Sequence, residues 1–121
     1  MPFKTPYVML ASMDVAPEHE AVFNEVYDQE HVPFLLEVPG VRSVTRIKGE
    51  PFSMMIGGEE KKMPAADPVY TAVYEIDHPD VLNSAAWAQA VERGRWPAEV
   101  RPHTRKRQHL IYQTTLTQEE T

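Results

Sequence analysis

Residues Pro17 to Val44 read PEHEAVFNEVYDQEHVPFLLEVPGVRSV, and the rest of the chain is organised around this stretch. Pro17 suits the first helical position, where its missing N–H is no loss, and Glu18 and Glu20 suit the positive end of the helix dipole. Val22, Phe23, Val26 and Tyr27 then recur at helical spacing and gather on one face. At about 100° per residue, Glu30 falls inside that apolar arc and His31 on its edge beside Asn24. Charged groups rarely sit buried without a partner, so this is the place to look for chemistry. Pro33 removes a helical hydrogen bond and disfavours helical geometry just before it. The helix is therefore predicted to end or bend at His31 or Val32, with a last short turn through Phe34, Leu35 and Leu36. Val38-Pro39-Gly40-Val41 closes it, with Gly40 as a left-handed cap, and starts a strand.

Upstream, Tyr7 to Val15 (YVMLASMDV) is an apolar run of strand length bounded by prolines, with Met13 among the residues of one face. Downstream, Val41 to Lys48 reads as a strand carrying Arg42, Arg46 and Lys48 on one face. Residues 49–68 hold three prolines, three glycines and an EEKK cluster. They predict an extended hairpin or flap turning at Gly57-Gly58, with Met54, Met55 and Met63 able to cover a pocket or merely the end of the core. Val69 to Ile76 is a third strand with Tyr70, Ala72, Tyr74 and Ile76 on one face. Asp77 is expected to cap a second helix that ends at Gly94, and Lys106 to Leu116 forms a last strand before a tail at 117–121, expected to be disordered.

The order β-α-β, hairpin, β-α-β within one domain spanning 1–121 predicts an α+β, ferredoxin-like βαββαβ fold. Four antiparallel strands would carry both helices on one face. Strands one and four are apolar on both faces, so a second copy is expected to cover the far side, sheet against sheet, as a homodimer.

Composition excludes several classes. With no cysteine there are no disulfides or thiolate metal sites, which fits a reducing cytoplasm. A formal charge of -6 argues against nucleic acid as partner. No run approaches the roughly 20 apolar residues of a membrane helix, and the N-terminus lacks the pattern of a signal peptide. The basic run Arg101 to Arg107 reads most simply as a solvated strand start, with an anion site as the alternative. No His pair has metal-ligand spacing, and no glycine-rich phosphate loop occurs. No metal and no cofactor is expected.

The run Asn24-Glu25-Val26-Tyr27-Asp28-Gln29-Glu30-His31-Val32-Pro33, followed by Val38-Pro39-Gly40-Val41 and Arg46, resembles the dimeric α+β barrel superfamily and in particular its EthD-like branch. The second half shares only element order and the aromatic at Trp87. The resemblance implies a dimeric α/β barrel with a pocket between sheet and helices in each subunit. The superfamily includes lactone isomerases, polyketide cyclases, cofactor-free quinol monooxygenases, haem-degrading enzymes and proteins with no known reaction.

Four residues carry the expected chemistry: His31, Asp28, Glu30 and Tyr27. An imidazole titrates near neutrality and can act as base or acid. Asp28 is spaced to orient it, Glu30 to share its proton, and Tyr27 to hold a substrate oxygen. The bland alternative is that His31 caps carbonyls freed by Pro33 and that Tyr27 is core. Asn24, Phe34, Trp87, Arg46, Tyr112 and Met13 are the candidate lining residues; Trp96 could share an aromatic wall with Trp87, and His109 and Tyr112 lie on opposite faces, so at most one meets the pocket. The functional expectation is a small cofactor-independent enzyme of isomerase, cyclase, dehydratase or monooxygenase type, acting on a hydrophobic oxygenated molecule. The alternatives are a non-catalytic dimeric binding protein or a haem-binding relative with His31 as axial ligand.

Overall fold

The computed structural model describes residues 3–120. The first two residues of the N-terminus and the last residue of the expected tail lie outside that range. Among the described residues, six strands form two sheets. Strand β1 (Tyr7–Val15), β2 (Val41–Lys48), β5 (Tyr70–Ile76) and β6 (Thr104–Gln113) make a four-stranded antiparallel sheet in the order β2-β5-β1-β6. Setting aside the inserted hairpin, that is the ferredoxin-like order, in which each helical crossover skips one strand. Alternation sends Met9, Ala11, Met13, Ala72, Tyr74 and Ile76 to the helix-covered face, where all are buried. Phe23, Val26 and Leu35 meet them from the helical layer and are fully buried.

The first helical segment is continuous but changes pitch. A 3₁₀ turn, Pro17–His19, leads into α1 (Glu20–Val26); Tyr27–His31 is a π turn, and α2 (Val32–Leu36) completes the segment. The Val32 N–H reaches back five residues to the Tyr27 carbonyl. Pro33 has no N–H to offer and its ring crowds the preceding turn. The helix absorbs the proline by widening rather than by stopping, and the widened turn is the one that holds Tyr27 and His31.

Gly40 adopts φ +94°, and a Cβ there would run into Cγ2 of Val81. Gly40→Ala is expected to lower stability by roughly 1–3 kcal/mol, measured as a drop in denaturant midpoint at unchanged slope.

The 49–68 segment forms a separate hairpin, β3 (Phe52–Ile56) against β4 (Glu59–Met63), turning at Gly57 and Gly58 with positive φ at both. Among the described residues its strands pair only with each other, and Phe52, Met54, Met55 and Ile56 are exposed.

The second crossover departs from one helix capped by Asp77. Asp77 instead accepts two hydrogen bonds from Arg42. A 3₁₀ turn, Pro79–Asn83, starts from His78, whose Nδ1 accepts the Asp80 N–H. Ser84, extended at ψ 155°, then caps α3 (Ala85–Ala90) by accepting the Trp87 N–H. Two caps in succession break the expected helix into short pieces. A second π turn, Trp96–Val100, follows, and β6 begins two residues before the expected Lys106 and ends at Gln113 rather than Leu116.

Candidate functional site

A cavity of about 490 Å³ lies between the helix-covered face of the sheet and the second crossover. That is within the size range of small-molecule sites. Met9, Ala11 and Met13 of β1 and Tyr74 of β5 form its base; Leu82, Trp87 and Val91 form one wall. The two π turns form the other. His31 closes the first and Trp96 opens the second, and their rings stack with centroids 4.0 Å apart and planes 12° off parallel. Tyr27 meets both edge-on, at 5.2 Å from His31 and 5.0 Å from Trp96.

His31 is 5% exposed, and its Nδ1 is buried with no hydrogen-bond partner among the described residues. Burial first, and then the positive charge of Arg101, push its pKa down to about 4. The ring is therefore neutral at neutral pH. An unpartnered polar atom in an apolar wall lowers stability by about 1–3 kcal/mol, so it asks for a reason. Tyr27 and Tyr74 are both buried, with hydroxyls 3.3 Å apart. Burial raises both phenol pKa values, Tyr74 more strongly, so both stay protonated. One O–H satisfies the other oxygen, which leaves a second O–H able to donate to a ligand.

Of the residues singled out in sequence, His31, Tyr27, Trp87, Trp96, Met13 and His109 line this cavity. Asp28 does not orient His31: it is turned outward and pairs with Arg46 at 2.7 Å. Glu30 shares no proton with His31 either. It accepts from the Arg95 backbone N–H at 2.9 Å and the Arg95 side chain at 2.6 Å, and the first of these contacts leads in holding its carboxyl below the usual range. Both carboxylates followed available cations, since an unpaired charge at the cavity would be costly. Arg46 and Asn24 sit together on the opposite side of Tyr27, hydrogen-bonded at 2.9 Å. The Arg46 guanidinium lies over the Tyr27 ring at 4.5 Å, so it braces that ring instead of meeting a ligand in the cavity. Phe34 packs under Arg93 in a separate groove. Tyr112 is on the far face of the sheet, and His109 takes the cavity side.

Met9, Leu35, Tyr74, Glu92, Arg101 and Arg107 also line it. Strand parity was the available signal for two of them, because Arg107 shares a face with His109 and Tyr74 with Ala72. Met54, Met55 and Met63 are not among the lining residues, so the hairpin is no flap over this cavity. Among the described residues no cluster of three or more His, Asp or Glu could hold a metal ion, and no helix is long and apolar enough to cross a membrane.

No protein-family model and no curated protein sequence matches the chain. Solved structures do. A proposed antibiotic biosynthesis monooxygenase from Bordetella bronchiseptica superposes with a TM-score of 0.57 at 18% identity, over 91% of this chain and 97% of its own. A MhuD variant with two manganese protoporphyrin IX molecules per active site gives 0.61 at 13% identity, over 95% and 100%. An EthD family protein from Bacillus halodurans gives 0.53 at 17% identity, over 90% and 99%. The chain thus has the ferredoxin-like α+β fold that antibiotic-biosynthesis-monooxygenase-type and EthD family structures share.

Proposed function

We propose that the chain is a homodimeric, cofactor-independent enzyme that moves a proton through His31 on a hydrophobic, oxygenated small molecule, in the manner of an EthD-like isomerase, cyclase, dehydratase or monooxygenase. One observation carries the reading: a neutral, unpartnered imidazole and a protonated phenol pair share the wall of one apolar cavity. The neutral imidazole takes the proton from a C–H beside a carbonyl. The electron pair moves onto the carbonyl oxygen, and the free tyrosine O–H donates to that oxygen. A base held near pKa 4 needs an acidic proton, such as one flanked by two carbonyls or an aromatic ring. The porphyrin-bound neighbour keeps haem as an alternative ligand, removed by absence of a Soret shift on adding haemin. A purely sequestering protein is the less favoured reading, because Phe34, Met54 and Met55 do not seal the cavity and His31 faces into it.

Dimerisation is supported by the far face of the sheet, where Ile47, Leu110 and Tyr112 stand exposed. Sedimentation should give twice the chain mass. In a screen of lactones and polycyclic phenols, any turnover by the unaltered protein should fall by about 10²–10⁴ in His31→Ala, with the dimer intact. Turnover that survives this substitution refutes the assignment.

A further inference from the structure

Besides His31, Tyr27 and Tyr74, the polar lining of the cavity comes from the second crossover and the edge strand β6. Arg101 and Glu92 line it from the first, Arg107 and His109 from the second. Arg101 is satisfied: it donates to both carboxylate oxygens of Glu92, at 3.0 and 2.8 Å, and to the Val91 carbonyl at 2.9 Å. Those two charges cancel. The Arg107 side chain makes no hydrogen bond and no ion pair among the described residues, in contrast to Lys106 beside it, which holds Asp67 at 2.9 Å. Burial of the His109 ring, and then the nearby Arg107, lower its pKa. Arg107 is thus the cationic side chain of this lining that no described carboxylate pairs.

A bulge in β6 isolates that charge. Between the Ser12–Gln108 and Asp14–Arg105 pairs, Lys106 and Arg107 together oppose Met13, and Lys106 takes φ +54°. Without the extra residue, Arg105 would share the cavity face with Arg107. With it, Arg105 moves to the register of Asp14, on the other face, and Arg107 alone remains beside Met13.

Resting on the proposed small-molecule function, we propose that the ligand of this cavity is a flat aromatic molecule bearing a carboxylate, its rings between Trp96 and Trp87 and its carboxylate on Arg107. The planar guanidinium matches a carboxylate with two parallel hydrogen bonds. Arg107 and His31 line the same cavity from different elements, so an anchored carboxylate leaves the ring system to reach His31.

The test compares 2-naphthoate with its neutral analogue 2-naphthamide by calorimetry on the unaltered protein, Arg107→Gln and Arg105→Gln. The carboxylate should bind at least about tenfold tighter than the amide. Arg107→Gln should remove that preference while leaving amide binding unchanged, and Arg105→Gln, an equal loss of charge on the other face, should keep it. Equal affinity of the two probes for the unaltered protein overturns the carboxylate assignment and leaves the apolar site standing. A preference lost equally in both variants makes it a diffuse charge effect and also overturns it. Absence of binding by either probe removes the cavity-ligand reading itself.

Discussion

Acidification from pH 6.5 to 4 is expected to lower the stability of the fold by roughly 3 kcal/mol through His31 alone. The ring is buried and its folded-state pKa is depressed to about 4 from an ordinary 6.5. In that window the unfolded chain binds a proton that the folded chain refuses. The contribution is thus fully present above pH 6.5 and is lost as the pH falls to 4. Several carboxylates with lowered pKa values, Glu30, Glu75 and Asp77 among them, add acid losses of their own at lower pH. The comparison is therefore between the unaltered protein and His31→Gln, in urea at pH 7 and pH 4.5. The unaltered protein should lose more stability than the variant on acidification, and equal losses would place the His31 ring in water.

Trp96→Ala is expected to have the larger effect at neutral pH, about 3–5 kcal/mol. Trp96 is 4% exposed and packs against Phe23, Tyr27 and His31. It joins the second crossover to the first helical segment. The same substitution opens one face of the imidazole to solvent, so the His31 pKa should rise toward 6.5. A small loss of stability, below about 1 kcal/mol, would mean that the two π turns hold their positions without the stack.

Much of the frame is legible in the Pro17–Val44 stretch, because its signals are local. The apolar spacing of Val22 to Tyr27, the proline at position 33 and the glycine at 40 each act on their immediate neighbours. The strand limits of β1 and β2 follow from the same kind of signal and match residue for residue. What local reading does not reach is partner choice. Glu30 is drawn off by Arg95, which lies 65 positions away, and Asp28 by Arg46, 18 away. Neither pairing leaves a trace in spacing. The wheel placed Glu30 toward the core, and the π turn then rotated the residues after Val26 relative to an ideal helix. The Arg101–Arg107 run looked like a solvated strand start because charge runs usually are; only the β6 bulge and the cavity beside it single out Arg107. The second helix failed for a different reason, since Ser84 competes as a cap inside what reads as one alanine-rich helix.

The His31 imidazole faces the cavity and remains neutral there. A ¹H–¹⁵N NMR titration of the imidazole resonances, with His31 assigned through His31→Gln, measures this directly. His31 should titrate near pH 4. A His31 midpoint at about 6.5, the ordinary value for a solvated ring, would contradict it.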